Sequence, residues 1–347
     1  EGLYLQMMRA IQLTEFGLDE QFEEVDCPLC NSKKRDLYFE HDDDPYLNQL
    51  KVSKDFKVSF YYCDDCELIY QSPRWTKKTA DRFYSKLYRP QTPQQKNVDY
   101  KLKDAADVYD FIHEDKVFPK SGRMLDVGTG EGLLPYTHEK MGENGGPKWD
   151  TYAIEPNKVY ADWARANKLC QVETGEFKKK SWRNLTFDLI TAQQVLEHIH
   201  DPVAFLKLCN DRLYSDGWLY IGVPTVEYPW GNEYSRFNMM CDNFTASPHL
   251  TLYTPRTLGR MLNKAGFYLE RLDYYSRGIR SLSRKLRLGE TQEHYGRENR
   301  KRIEETFKNC CALEREYLAK QQESVSSEGD SQEDKGMEVP AVSNQMA

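Results

Sequence analysis

The order of apolar and polar positions between residues 120 and 225 predicts alternating strands and helices. Short apolar runs predict buried strands, at 123–127, 150–154, 170–173, 186–191 and 217–223. The stretches between them predict helices, at 133–141, 157–167 and 202–213. Strands that alternate with helices favour a mainly parallel sheet covered by helices on both faces. The pattern therefore predicts an α/β fold.

Two further patterns precede this region. Residues 76–118 have a helical pattern that two prolines interrupt, and Val108, Phe111 and Ile112 line one face of it. Residues 56–62 alternate between apolar and polar side chains, as a half-buried strand does. The N-terminal part of the chain is therefore expected to form a small module and a helical cover beside the α/β core.

A glycine-rich turn follows the first strand of the core. Gly128, Gly130 and Gly132 alternate with other residues after an apolar run, and a helical pattern begins directly after them. Glycine takes up backbone angles that other residues avoid, and the free amides at a helix start can hold a carboxylate. The spacing is not the G-x-G-x-x-G of dinucleotide-binding loops, so this turn alone fits a tight surface turn as well as a ligand loop.

The next strand ends on an acidic residue, Glu155, followed by Pro156. A carboxylate at this place in an α/β nucleotide site accepts hydrogen bonds from two ribose hydroxyls. Ligands of such sheets bind beyond the carboxyl ends of the strands. Four residues with suitable groups are expected at that edge: Gly128, Glu155, Phe177 and Gln193.

Four segments taken together resemble the successive motifs of class I S-adenosylmethionine (SAM) methyltransferases. They are Leu125–Gly132, Ala153–Asn157, Phe187–His198 and Ser215–Pro224. Thr129 stands where that family most often has cysteine. The resemblance implies a Rossmann-like sheet and transfer of a methyl group from SAM to an acceptor oxygen or carbon.

The resemblance also implies the residues that bind the cofactor: Asp126, Gly128, Thr129, Gly130, Gly132, Glu155, Gly175, Glu176, Phe177, Gln193 and Gln194. The glycine loop would hold the amino acid end of SAM, with Asp126 orienting the loop. Glu155 would bind the ribose, and residues 175–177 would flank the adenine. Gln193 and Gln194 would lie near the transferred methyl group.

Two C-x-x-C pairs predict a metal site in the N-terminal module. They are Cys27 with Cys30 and Cys63 with Cys66, among 9 cysteines in all. Four thiolates complete the tetrahedral shell of Zn²⁺ and leave no position for a substrate, so we expect structural zinc. Iron also suits four sulfur ligands, and unrelated thiols or disulfides remain the other interpretation. An odd number of cysteines with paired spacing favours a reducing, cytoplasmic setting.

The zinc module, followed by Gln71–Arg74, Phe83, Tyr84 and Tyr88, resembles one subgroup of these methyltransferases. That subgroup consists of bacterial enzymes that act on sugars, often nucleotide-linked, in antibiotic and surface-polysaccharide pathways. The resemblance therefore implies a sugar or nucleotide-sugar acceptor.

Three tyrosines are candidates for contact with the acceptor. Tyr84 and Tyr88 would share one helix face, where they either reach the acceptor or pack between the zinc module and the core. Tyr228 belongs to a long segment, 224–245, that is rich in aromatic residues and that we interpret as a cover over the acceptor side.

His249 is the candidate catalytic base. Its segment resembles the histidine-bearing segment of the sugar-methyltransferase subgroup, although Pro248 stands where a glutamate often precedes the histidine. A histidine can accept a proton near neutral pH, or it can simply be hydrogen-bonded in a turn. Glu197 and His198 rank below His249 as bases.

Composition limits the remaining possibilities. The chain has 347 residues, 39% hydrophobic and 30% charged, with a formal net charge of −7. This acidic balance disfavours a dedicated nucleic-acid binder. No apolar run reaches the length of a membrane span and no secretion signal opens the sequence, so neither is expected. The basic stretch 277–302 is either a solvated helix face or a surface for a diphosphate.

These observations predict six regions: an N-terminal arm (1–25), a zinc-ribbon module (26–72), a helical cover (73–118), a SAM-binding domain (119–275), a helical extension (276–322, with a helix over 298–320) and a disordered tail (323–347). The leading hypothesis is a sugar or nucleotide-sugar methyltransferase. The alternatives are an O-methyltransferase of a phenol, quinone or lipid, a zinc-ribbon protein that binds RNA, and a SAM sensor without catalysis.

Overall fold

A computed structural model describes residues 22–42, 44, 57–84, 93, 95–114, 118–227, 248–275, 278–286, 298 and 301–305. The predictions for Tyr88, Tyr228, the disordered tail and most of the acceptor-side cover and the 298–320 helix lie outside these residues.

The N-terminal part is built of short strands followed by two helices: β1 (Phe22–Glu23), β2 (Arg35–His41), β3 (Val58–Cys63), β4 (Ile69–Gln71), β5 (Arg74–Trp75), α1 (Lys77–Arg82) and α2 (Gln95–His113). β2, β3 and β4 pair antiparallel. The helical face predicted on α2 is buried, with Val108, Phe111 and Ile112 packed in one cluster with Met124.

The core alternates strands and helices: β6 (Ser121–Val127), α3 (Leu133–Glu143), β7 (Lys148–Glu155), α4 (Lys158–Ala166), β8 (Gln171–Thr174), β9 (Phe187–Gln193), a 3-10 helix (Leu196–His198), α5 (Pro202–Arg212) and β10 (Leu213–Val223). It ends with β11 (Thr251–Leu252), α6 (Pro255–Lys264), β12 (Phe267–Tyr275) and β13 (Gly278–Lys285). Each strand and helix predicted for this region from the hydrophobic pattern is present.

A seven-stranded sheet forms the centre, in the order β12-β13-β10-β9-β6-β7-β8. Strands β10, β9, β6, β7 and β8 pair in parallel. β13 runs antiparallel to both of its neighbours. The predicted Rossmann-like α/β fold is confirmed, and the parallel strands bring their carboxyl ends to one edge.

The predicted helical extension is wrong at its start. Residues 278–285 form β13 and lie between β10 and β12 in the sheet. The basic side chains that favoured a solvated helix have partners in the fold: Arg280 pairs with Asp107 and Asp273, and Arg284 with Glu270. These ion pairs allow arginines to lie in a strand inside the sheet.

Side-chain caps fix the starts of the core helices. Asn157 accepts a hydrogen bond from the Val159 amide at α4, and Asp201 accepts one from the Ala204 amide at α5. Thr254 forms a capping box at the start of α6. Such caps satisfy amides that have no partner inside the helix, so the positions at which these helices begin are encoded locally.

The four-cysteine module (26–72) and the core are joined by a shared sheet. β11 pairs with β4, so the four strands run β11-β4-β3-β2. The cysteine-bearing turns also belong to the main hydrophobic cluster, where Leu68 and Tyr70 lie with Tyr253 and Leu258 of the core. Folding of the N-terminal module and of this part of the core is therefore expected to be coupled.

Candidate active site and metal centre

The glycine loop lies at the carboxyl end of β6 and is tied to the neighbouring strand. The amides of Gly128 and Thr129 donate to the Ile154 carbonyl, at 2.8 and 3.1 Å. Gly128 has φ 72°, Gly130 φ 59° and Gly132 φ 77°, all in the region that favours glycine. A side chain at Gly128 or Gly132 would meet Val195 or Cys170, whereas at Gly130 it would meet nothing within 4 Å. Open space therefore lies beside Gly130.

Glu155 ends β7 directly beside this loop. Its Oε2 accepts a hydrogen bond from the Gly130 amide at 2.7 Å, and its Oε1 accepts one from the Asn157 amide at 2.7 Å. The side chain is buried. The carboxylate is thus held at the sheet edge, next to the open space, in the place that the sequence predicted for a ribose acceptor.

Asp126 lies inside the sheet just before the loop. It is buried, and its Oδ1 accepts a hydrogen bond from the Thr191 hydroxyl at 2.6 Å. Burial raises the pKa of Asp126 to about 6, although that hydrogen bond acts in the opposite direction. The geometry fits a residue that links β6 to β9 directly before the glycine loop.

The predicted adenine segment follows β8. The Gly175 amide donates to the Glu155 carbonyl at 2.9 Å, and a side chain at Gly175 would meet nothing within 4 Å. Phe177 packs against the hydrophobic core, with its ring 6.1 Å from that of Phe205. Open space at Gly175 beside Glu155 suits a flat ring, while the Phe177 ring is directed to the core.

Glu176 is held by lysines from two directions. It pairs with Lys77 of α1 and, at 3.0 Å, with Lys178. Burial alone would raise its pKa, but hydrogen bonds from Asp81, Lys77 and Lys178 outweigh burial and lower the pKa of Glu176 to about 2. Glu176 therefore fastens α1 to the loop after β8.

Gln193 and Gln194 meet a tyrosine that the sequence did not indicate. Both side-chain amides donate to the Tyr275 hydroxyl, at 3.0 Å from Gln193 and 2.7 Å from Gln194. The Tyr220 hydroxyl donates to Gln193 Oε1 at 2.8 Å. Tyr275 is the last residue of β12, so this network joins the carboxyl ends of three strands.

A second polar cluster lies one turn beyond β9 and consists of Glu197, His198, His249 and Tyr84. The His198 and His249 rings are 4.7 Å apart, and Tyr84 Oη is 2.8 Å from His198 Nδ1. Burial raises the pKa of Glu197 to about 8. The cluster unites the candidate base His249 with Glu197 and His198, which the sequence ranked below it, and with the candidate acceptor residue Tyr84.

Backbone hydrogen bonds bring His249 to this cluster. The Leu250 amide donates to the Glu197 carbonyl at 2.7 Å, and the Leu250 carbonyl accepts from the Gln71 amide at 2.9 Å. The segment that carries His249 is therefore fixed between the 3-10 helix and strand β4 of the four-cysteine module. The sequence could not indicate this, because the contact joins residues far apart in the chain.

The four cysteines of the two C-x-x-C pairs converge. Their sulfur atoms all lie within 4.8 Å of one another, with Cys27 and Cys66 at 3.4 Å and Cys30 and Cys63 at 3.5 Å. Sulfurs bound tetrahedrally to Zn²⁺ at about 2.3 Å lie a little under 4 Å apart. The donor set and its spacing therefore fit zinc.

Two matched turns produce this convergence. Asn31 and Glu67, each one residue after a second cysteine, have positive φ values of 61° and 65°. Their amides donate to the carbonyls of Cys27 and Cys63, both at 2.8 Å. A hydrogen bond with Cys66 lowers the pKa of Cys27 to about 5, while burial raises the pKa of Cys63 to about 11. These thiols share protons that a cation would replace.

Comparison with known proteins gives the family. The profile described as "Methyltransferase domain" matches residues 95–272, more than half of the chain. The fold and this match identify residues 95–272 as a class I SAM-dependent methyltransferase domain. The chain belongs to the methyltransferase domain family, and the resemblance found in its motifs is confirmed at that level.

Two curated relatives are similar to part of the chain. It is 28% identical over 109 residues to the ubiquinone biosynthesis O-methyltransferase of Xanthomonas axonopodis pv. citri, covering 30% of this chain and 43% of that protein. It is 34% identical over 103 residues to the enzyme of the same name from Parvibaculum lavamentivorans, covering 28% and 39%. The chain thus spans about two fifths of the length of these relatives.

Among solved structures, the magnesium protoporphyrin IX methyltransferase of Synechocystis PCC 6803 is similar to the chain with a TM-score of 0.42 and 12% identity, over 60% of this chain and 98% of that one.

Among the helices that the structure describes, none has the length and apolar character needed to cross a membrane.

Proposed function

We propose that the chain transfers a methyl group from SAM to a hydroxyl oxygen of a small-molecule acceptor. The observation that carries this proposal is the adjacency of two sites on one sheet edge. Val195 lies against the glycine loop at Gly128, and the next residues along the chain carry Glu197 and His198. The donor loop and the polar cluster are therefore parts of one continuous surface.

The donor side is assigned to the residues around the open space at Gly130. We assign Glu155 to the ribose hydroxyls, because its carboxylate lies at the edge with its oxygens directed by two amides. The loop Gly128–Gly132 would hold the amino acid end, supported by Asp126 and Thr129. Gly175 would lie beside the adenine, with the backbone of Glu176 and Phe177 next to it, since the side chains of both are engaged elsewhere. Gln193 and Gln194, directed by Tyr275, would face the methyl group.

The acceptor side is assigned to the cluster of Tyr84, Glu197, His198 and His249. SAM supplies an electrophilic methyl carbon on a positively charged sulfur. The acceptor hydroxyl would give up its proton to this cluster, its oxygen would form the new bond to the methyl carbon, and the electron pair of the C–S bond would stay on sulfur. Alignment of these three atoms by the protein would contribute to the acceleration.

Two acceptor classes are proposed. Phenols and quinols are supported by relatives named ubiquinone biosynthesis O-methyltransferase. Sugars and nucleotide-linked sugars rest only on the sequence resemblance of the four-cysteine module to that of sugar methyltransferases. We further propose that this set binds structural zinc, because four sulfurs leave no position for a substrate.

Methyl transfer from isotopically labelled SAM to an acceptor panel tests the proposal. The panel holds catechols, quinols, nucleotide-sugars, free sugars and short RNAs, with product masses read by mass spectrometry. We expect a labelled product in one hydroxyl-bearing small-molecule class, and loss of that product in the Glu155→Ala protein. Labelling of RNA alone, or of no acceptor by a protein that binds SAM, would contradict the proposed function.

A further inference from the structure

A second potential metal site lies apart from the four cysteines. Glu197 and His198 of the 3-10 helix and His249 each bring one ligand atom within 4.8 Å of the others. Within the described residues, these three and the cysteines are the groups of histidine, cysteine and carboxylate side chains that converge in this way. A carboxylate with two imidazoles is a common ligand set for divalent transition metals, and it leaves coordination positions open.

Glu197 is the observation that points to a ligand. Its side chain is 1% exposed, and neither carboxylate oxygen has a hydrogen-bond partner among the described residues. A carboxylate buried in this way is costly unless a cation or donors compensate it. His198 Nε2 lies 3.8 Å from Glu197 Oε1, too far for a hydrogen bond but suitable for two ligands of one ion.

The orientation of His198 fits the same interpretation. Its Nδ1 lies 2.9 Å from the Pro248 carbonyl, which can only accept a hydrogen bond, and 2.8 Å from the Tyr84 hydroxyl, which can also accept one, so both contacts favour the tautomer with the proton on Nδ1. In the neutral ring the lone pair is then on Nε2, the nitrogen that faces Glu197. Metal-bound histidines are oriented in this way by a carbonyl or carboxylate on the other ring nitrogen.

We propose that Glu197, His198 and His249 bind a divalent transition-metal ion, separate from the zinc of the four cysteines. Ligand atoms around such an ion lie about 3 to 3.5 Å apart, so small side-chain rotations bring the three groups into its shell. The Tyr84 hydroxyl contacts Nδ1 of His198, the ring nitrogen that does not face Glu197, so Tyr84 orients this ligand rather than binding the ion. If the proposed function holds, an acceptor oxygen at an open position would lose its proton more readily.

Metal stoichiometry of the full chain tests the site. The purified protein is titrated with Co²⁺ and Zn²⁺, and bound metal is measured by mass spectrometry after removal of free ions. Cobalt bound by four thiolates has an intense sulfur charge-transfer absorption, whereas cobalt bound by Glu and His has none. We expect the wild-type chain to bind a second equivalent of cobalt that adds no such absorption.

Two variants assign this second equivalent. Glu197→Gln and His249→Gln are each expected to weaken it at least tenfold and leave the thiolate absorption unchanged. That absorption also reports that the variant is folded. Glu143→Gln, the same change at an exposed position of α3, is expected to keep both equivalents.

A wild-type chain that binds metal only through its cysteines would overturn the proposal and leave a metal-free Glu–His proton relay in its place. A second equivalent unaffected by either variant would overturn it too. A chain that binds no second equivalent and still transfers the methyl group would overturn this metal site and leave the proposed function standing.

Discussion

Gly128 and Gly130 have similar left-handed backbones and different surroundings. A β-carbon at Gly128 would lie 2.6 Å from Val195 Cγ2, so this position is closed by the protein itself. At Gly130 the protein leaves open space, and the amide is engaged by Glu155. One glycine therefore serves packing, and the other is available to a ligand.

This difference predicts that two matched substitutions affect stability and ligand affinity to different extents. Gly130→Ala should cost about 1–2 kcal/mol of stability for its backbone angle, yet weaken S-adenosylhomocysteine binding at least roughly tenfold. Gly128→Ala adds a steric clash and should cost about 2–5 kcal/mol of stability. Denaturant unfolding and calorimetric titration measure the two quantities. Equal affinity for Gly130→Ala and wild type would exclude the open space as the ligand site.

Sequence and structure agree best where a residue's role is local. Asp126, the glycine loop and Glu155 lie within strand-turn-helix units, so their order in the chain fixes their place at the sheet edge. Tyr275 was not predicted, because its contact with Gln193 depends on the order of strands in the sheet.

At the scale of single elements, α3 contains a buried histidine. His138 Nδ1 lies 3.0 Å from the Leu134 carbonyl, and the ring packs near His113 and Trp149. Burial lowers the pKa of His138 to about 3. The folded protein therefore keeps this ring neutral at pH values where the unfolded chain protonates it.

This predicts a pH-dependent contribution of His138 to stability. Its depressed pKa means that stability is fully present above about pH 6.5 and is lost toward pH 3, by up to about 1.4 kcal/mol per pH unit. The His138→Leu protein cannot titrate there. Unfolding of both proteins at pH 7.5 and pH 5 should therefore show the wild type losing stability relative to the variant, and a constant difference would contradict a neutral buried ring.

Strands and helices were predictable where the spacing of hydrophobic residues and the positions of turn-forming residues indicate the same boundaries. Strands β6 to β10 are short apolar runs with clear boundaries, so the pattern predicted them. β13 was not predicted because Arg280, Arg284 and Lys285 give it a solvated appearance. Their partners lie on other elements, Asp107 on α2 and Glu270 on β12, so a pattern read along β13 alone does not include them.

On the scale of the whole molecule, the four-cysteine module extends to the polar cluster of Glu197, His198 and His249. Gln71 at the end of β4 donates to the Leu250 carbonyl, and Leu250 donates to Glu197. The segment that carries His249 is thus held from both sides. The paired cysteine spacing predicted the module, but only the assembled fold connects it with the polar cluster.

Loss of the cysteine-bound metal should therefore affect more than the module. We expect a Cys30→Ser, Cys63→Ser protein to melt on the order of 10 °C lower than wild type, in one transition. We also expect it to lose methyl transfer more than S-adenosylhomocysteine binding. Differential scanning calorimetry measures the melting temperature, calorimetric titration measures S-adenosylhomocysteine binding, and transfer from labelled SAM measures the activity. Two separate transitions, with the core unchanged, would show instead that the module folds independently.

The central claim is that the carboxyl edge of the sheet binds SAM through the glycine loop and Glu155. Its most direct test is the affinity for S-adenosylhomocysteine of wild-type, Glu155→Ala and Glu155→Gln proteins, with Glu143→Gln as the exposed control. Charged hydrogen bonds contribute about 1.5–3 kcal/mol each, so Glu155→Ala should bind about 100-fold more weakly and Glu155→Gln about 10-fold. The control should match wild type. A folded Glu155→Ala protein with full affinity would contradict this location of the cofactor.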